Sequence, residues 1–440
     1  MTNHAGDREP KDTTRADTYV RTLIVHQRRN VPTEWWHRAV FMEVPGIVDE
    51  VAAAMLKPCM FAMARVGASA VIFRPALVDL TGSTVIADLV KEAHRVGLKV
   101  VVRLSGATFS GRPSSTEDAL FFGLESDPAT LVVRAREALK LGVDGIDLGG
   151  IREWSTRADA AQRAQHFRAL TRILQVELAD FSPNHTLSAS AELLDIDAFV
   201  RHQEEEWFHN LRAGSLYRAT FDTHAIRTAI DETLQACDRV GAVPSWKAIA
   251  PQILADPHER KGTTRTWEQD ADTARRTAMR LLLCALPGSI YLPFEFIGGH
   301  VEYVHSAVRP QPAQSEKEKA RAKHTGLALR LRQELCMGDD TFAWVEGLPW
   351  QNPDTLVSTT GNILNVLNTG SDPIEVPAEH RLLIRSDSTG EEDVPAAGPV
   401  FSGEGLRRVP PAPAGTRLRG GSCAWFIPER VAAQDVAAYR

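Results

Sequence analysis

The 440-residue sequence has no cysteine framework: Cys59, Cys237, Cys284, Cys336 and Cys423 are scattered, odd in number and form no C-x-x-C pair. That excludes stapling disulfides and a cysteine zinc site as the basis of the fold. The histidines lack metal-ligand spacing, and the glycines of "DLGGI" do not keep the G-x-G-x-x-G spacing of a dinucleotide loop, so no metal and no other cofactor is expected. Long apolar runs are missing too. "LLLCALPGSIYLPF" is broken by Pro287 and Gly288, and the first twenty residues are polar, without the apolar stretch of a signal peptide. The expectation is a cytoplasmic protein that does not enter membranes. Nor is there an excess of one charge: a net charge of −6 and a pI near 6.2 leave no basic footprint for nucleic acid. A small molecule or another protein is the expected partner.

What the chain does have is 43% hydrophobic and 24% charged residues, enough for a large core. Its length suits one eight-stranded α/β barrel with an appended domain. From about residue 35, short β-branched or apolar runs alternate with Ala/Leu/Arg/Glu-rich helical stretches, which forces parallel strands joined by crossover helices. The expected strands are "AVFMEV", "ASAVIFRP", "LKVVVRLS", "VDGIDLGG", "TLSASAEL", "LYRATF", "SWKAIA" and "SIYLPF". After the helix "KEKARAKHTGLALRLRQEL", short strands punctuated by Gly, Pro, Asn and Asp take over: "FAWVEG", "TLVSTT", "ILNVLNTG", "EHRLLIRS" and "GSCAWFIP". The reading is α/β, a (β/α)8 TIM barrel followed by an all-β domain. It divides into a flexible N-terminal segment 1–30, the barrel 31–337, a β-sandwich domain 338–430 and a tail 431–440.

In order and spacing these stretches resemble the alpha-amylase family of glycoside hydrolases (family 13), in particular its bacterial alpha-glucosidase and oligo-1,6-glucosidase branch. "WWHRAVFMEV" looks like the opening strand, "EAHRVGLKVVVRL" the approach to the third, "GVDGIDLGG" the fourth, "LYRATFD" the sixth and "ALPGSIYLPFEFIGG" the eighth. "LALRLRQEL" with "FAWVEG", "VLNTGSDPIEVP" and "CAWFIP" looks like the closing helix and β-domain. The resemblance implies retaining chemistry at the C-terminal ends of the strands, with a carboxylate nucleophile and a carboxylic general acid. It also implies a longer loop domain after strand three, here truncated to "FSGRPSSTEDALFFGLESD".

Position by position, the implied machinery is largely missing. In strand four the family has an Arg two residues before its nucleophilic Asp, and this chain has Asp147 and Gly149. In strand three, where the family carries an Asp and then Asn-His, stand Arg103, Ala107 and Thr108; in strand seven, for Asn-His-Asp, stand Ala250, Pro251 and Gln252. Glu192, at the end of strand five, is the one retained position, that of the general acid.

Other conspicuous residues read as structural. Glu204, Glu205 and Glu206 form a solvated charge run, His300 and Glu302 belong to a loop, Trp35 and Trp36 pack at the barrel's rim, and Asp144 belongs to the strand's framework. The exchanged signs of Arg103 and Asp147 on adjacent strands predict an ion pair in which Arg103 contacts Asp147 or Glu192 and plugs the old site, the alternative being that both point into solvent.

The resulting expectation is a catalytically inactive alpha-glucosidase-like protein, partnering an active alpha-glucosidase homologue or a second copy of itself. Two alternatives stay open: a carbohydrate sensor with an alpha-glucoside ligand, and a glycosidase or transglycosidase site rebuilt from Asp79, Arg103, Asp147 and Glu192.

Overall fold

The computed structural model describes residues 19–28, 33–76, 80, 82–104, 119–120, 128–151, 160–191, 196–247, 273–294, 299–304, 307–312, 315–387 and 415–428. In chain order the strands are β1 (Arg21–His26), β2 (Val40–Val48), β3 (Ala70–Pro75), β4 (Lys99–Arg103), β5 (Ala119–Leu120), β6 (Gly145–Ile151), β7 (Thr186–Ala191), β8 (Asn210–Ala213), β9 (Ser245–Lys247) and β10 (Ser289–Pro293). A hairpin of β11 (His300–Val304) and β12 (Ala307–Gln311) follows. The C-terminal strands are β13 (Phe342–Glu346), β14 (Thr355–Thr360), β15 (Ile363–Asn368), β16 (Ile374–Val376), β17 (His380–Arg385), β18 (Thr416–Leu418) and β19 (Ser422–Pro428).

Eight strands, β2, β3, β4, β6, β7, β8, β9 and β10, run parallel in that order, and β10 pairs with β2 from Ile290↔Val40 to Pro293↔Glu43 to close the barrel. The period of two sorts their side chains. Outward residues such as Met42, Val71, Val100, Ile146, Leu187 and Leu211 join the large core under the surrounding helices. Inward, Trp36, Phe41, Ala70, Ile72, Val101 and Tyr291 fill the lower barrel. The helices start where the sequence offers a cap: Ser83 accepts from Ile86 N–H, Asp222 from Ala225 N–H, and Ser315 with Glu318 forms a capping box.

Behind the barrel stands an antiparallel sheet in the order β1-β13-β14-β15-β19-β17, with β16 and β18 paired alongside. The helix Thr273–Ala285 packs on β19, and Thr360 Oγ1 donates to the Ala285 carbonyl at 2.6 Å. Among the described residues no helix is long and apolar enough to cross a membrane.

Three expectations need correction. Arg21–His26, inside the segment read as flexible, is an edge strand of the C-terminal sheet, where Arg21 pairs with Glu346. The sixth barrel strand is "NLRA", Asn210–Ala213, whereas the expected "LYRATF" begins inside the short helix Ser215–Arg218. His300 and Glu302 lie on β11 rather than in a loop.

Candidate functional site

The fourth barrel strand, β6, reads G-I-D-L-G-G-I and is buried along its whole length. Gly145 lets β7 approach: a Cβ there would lie 2.6 Å from the carbonyl oxygen and from the methyl of Thr186. Two residues on, Asp147 faces Ser188, but Gly150 faces Ser190, so β6 carries one extra residue between those pairs. This is a β-bulge, and Gly149 within it has φ +67. That left-handed conformation suits glycine and strains other residues. The Gly149 N–H turns back to donate to Asp147 Oδ1 at 2.7 Å.

Asp147 is completely buried, and its neighbours supply a full set of donors. Oδ1 accepts from Arg103 Nε at 2.8 Å and from Arg212 Nη2 at 3.3 Å; Oδ2 accepts from Ser188 Oγ at 2.7 Å and from Arg212 Nη1. Arg103 Nη2 reaches Glu43 Oε1 at 2.6 Å. The Arg212 guanidinium lies 4.5 Å over the ring of Tyr291, which stacks on Phe41 at 4.2 Å. Six strands, β2, β4, β6, β7, β8 and β10, thus contribute to one connected column through the barrel, in which two arginines balance two carboxylates.

Electrostatics follow from this packing. Burial alone would raise the Asp147 carboxyl, but Arg212 and Arg103 hold it well below the usual carboxylate range. Burial likewise opposes ionisation of Glu43, and Lys247, Arg103 and Arg212 pull it below its ordinary value. Burial would lower the Arg212 guanidinium, yet Asp147 raises it further. The Tyr291 hydroxyl is pushed up by burial and stays protonated. Glu43, Asp147 and Arg212 remain ionised, and none of the three is poised to exchange a proton near neutral pH.

Arg103, Asp147 and Gly149 are therefore brought together, and the ion pair expected between Arg103 and Asp147 is present rather than solvated. Glu192, Thr108 and Gln252, like Asp79, Ala107, Ala250 and Pro251, lie outside the described residues. Arg212, Glu43, Ser188 and Tyr291 are additions that sequence reasoning missed. The signal for Arg212 was the alternation in "NLRA", which sends Asn210 and Arg212 to one side and Leu211 and Ala213 to the other. At the opposite, N-terminal end of the barrel, Asp144 accepts from Lys99 Nζ and from Val100 N–H and bonds His94 Nε2, consistent with a framework role. Trp36 is buried beside Phe41, also as expected. Among the described residues no group of three or more His, Cys, Asp or Glu side chains is arranged to hold a metal ion.

Neither a family model nor a curated protein matches the sequence. Solved structures do match in fold. An alpha-amylase from H. orenii superimposes with a TM-score of 0.60 at 12% identity, covering 90% of this chain and 100% of that one. A variant of isomaltulose synthase from Erwinia rhapontici NX5, in complex with D-glucose, gives 0.53 at 10% identity over 91% and 100%. A cyclomaltodextrinase gives 0.51 at 12% over 89% and 78%. The chain folds as the alpha-amylase family of glycoside hydrolases does, with its barrel and its C-terminal β-sheet.

Proposed function

We propose that this chain is a catalytically inactive alpha-glucosidase-like protein, a cytoplasmic pseudoenzyme that serves as a structural or regulatory partner, its candidate partner being an active homologue in alpha-glucan or disaccharide metabolism. The observation that carries this reading is the end of β6. In the alpha-amylase family that this chain resembles, a carboxylate there forms the glycosyl-enzyme ester, and an Arg stands two residues earlier on the strand. Gly149 has no side chain, and its φ of +67 departs from the strand conformation that would aim one at a sugar. Asp147 cannot substitute. It accepts five hydrogen bonds and lies beneath two arginines, so its lone pairs are occupied. Loss of one member of a catalytic unit commonly costs on the order of 10⁴ to 10⁶ in rate, and the loss here reaches the covalent step itself.

The test is hydrolysis of aryl alpha-glucosides, maltose and isomaltose by the purified protein, compared with its Glu192→Gln variant. The expected result is no turnover above buffer for either. Turnover by the wild type that Glu192→Gln abolishes would overturn the reading and favour a site rebuilt around Glu192.

A further inference from the structure

Two helices on the outside of the barrel, Pro128–Lys140 and Ala160–Phe181, pack side by side and are joined by a two-pronged ion pair, in which Arg136 Nε donates to Glu177 Oε2 at 2.5 Å and Arg136 Nη2 to Glu177 Oε1. Both follow a barrel strand and precede the next, so they run in the same direction. Val133, one turn before Arg136, therefore lies level with Ile173, one turn before Glu177. Val133, Ile173 and Val176 are 53%, 48% and 58% exposed, three of the nine large hydrophobic side chains exposed among the described residues. On the second helix, exposed Ala169, Ile173, Val176 and Asp180 fall at positions i, i+4, i+7 and i+11, a single stripe, and exposed Arg172 flanks it. Clustering of this kind marks an interaction face, whereas scattered exposed apolar residues do not.

We infer that this face binds a second copy of the same chain. The placement of charge on the helix selects this partner. Arg172 and Asp180 stand four residues to either side of Val176. If two copies of the helix are laid antiparallel about a two-fold axis at Val176, Arg172 of each copy comes level with Asp180 of the other, while Val176 covers its counterpart and Ile173 comes level with Ala179 of the other copy. One helix thus supplies an apolar centre with both halves of two intermolecular ion pairs. Among the described residues Arg172 has no hydrogen-bond or ion-pair partner, and Asp180 acts on Arg136 only at a distance. The apolar patch is small beside the roughly 800 Å² per partner of a standard interface, so the dimer is weak and reversible.

Sedimentation velocity over a hundredfold range of concentration tests the inference. The wild type should pass from monomer to dimer, and Val176→Glu should remain monomeric at the top of the range with an unchanged melting temperature. Arg172→Asp and Asp180→Arg should each weaken the dimer at least tenfold by opposing like charges, and the double variant should recover most of the wild-type affinity. A wild type that stays monomeric throughout, a dimer that survives Val176→Glu, or a double variant no better than either single would overturn it.

Discussion

Arg212 and Asp147 meet inside the barrel with both side chains entirely shielded from water. Their carboxylate–guanidinium contact is two-pronged, and Arg103, Ser188 and the Gly149 N–H complete the coordination of the same carboxylate. A pair this deep has lost its hydration, and it persists because every lone pair and nearly every N–H is satisfied by a neighbour. The arrangement stands at the height of the barrel where the sequence resemblance places catalytic groups, and it binds six strands together there.

The backbone at Gly149 leads to a first prediction. Gly149→Asp puts a carboxylate back at the nucleophile's place in the sequence, but φ is +67 there and Asp147 is close by. The left-handed conformation costs an L residue roughly 1–2 kcal/mol, and the added charge crowds an existing anion. The variant should melt below the wild type and still fail to hydrolyse isomaltose. A gain of turnover would mean that the bulge relaxes into a catalytic strand.

A second prediction concerns pH. His202 is 1% exposed, packed edge-on against Trp207 at 4.4 Å and against Phe167 at 6.0 Å. Burial, with help from Arg201, pushes its imidazole down from 6.5 to about 3. The folded-state pKa is depressed, so the unfolded chain takes up a proton below 6.5 while the folded chain does not. The contribution is fully present above that pH and is lost as pH falls toward 3, with a slope near 1.4 kcal/mol per pH unit. Denaturant melts at pH 7, 6 and 5 should show the decline, and His202→Phe should flatten it. Equal slopes in the two proteins would contradict the assignment.

Arg332 supplies a third. It is 2% exposed on the helix Glu316–Glu334, and its Nη1 donates to the carbonyls of Cys284 at 2.9 Å and Leu286 at 2.5 Å, while Nη2 donates to that of Gly288. One guanidinium fork thereby fixes the turn that feeds β10, the strand that closes the barrel. Burial brings its pKa down to about 10, still charged at neutral pH. Lysine carries the charge without the fork, so Arg332→Lys should destabilise by about 1–3 kcal/mol in urea unfolding. Unchanged stability would show that charge alone suffices.

Legibility in the sequence followed local pattern strength. β3, "AVIFRP", is buried on both faces and announces itself by a continuous apolar run, as does most of the barrel. β8 did not, because it spans four residues and points Asn210 and Arg212 inward, while the neighbouring "LYRATF" has the aromatic and β-branched composition of a strand but forms a helical turn. β1 has strand-like residues, yet its partner β13 lies 325 residues away at the Arg21–Glu346 pair, a distance no local pattern encodes. At the site, the exchanged signs of Arg103 and Asp147 were visible because adjacent strands could be aligned. Glu43 and Arg212 were not, since reaching Arg103 and Asp147 depends on which phase of each strand faces inward.

The central claim, that a buried ion-paired column has replaced catalysis at the barrel mouth, is tested most directly by the unfolding free energies of Arg103→Ala, Asp147→Asn and the double variant. Each single change leaves a charge without its partner in a dry interior, so Arg103→Ala should lose roughly 3 kcal/mol and Asp147→Asn about 3–5 kcal/mol, with the double variant losing less than the sum. Single variants within about 0.5 kcal/mol of the wild type, the range of ordinary surface substitutions, would contradict it and return these residues to a solvated mouth open to a ligand.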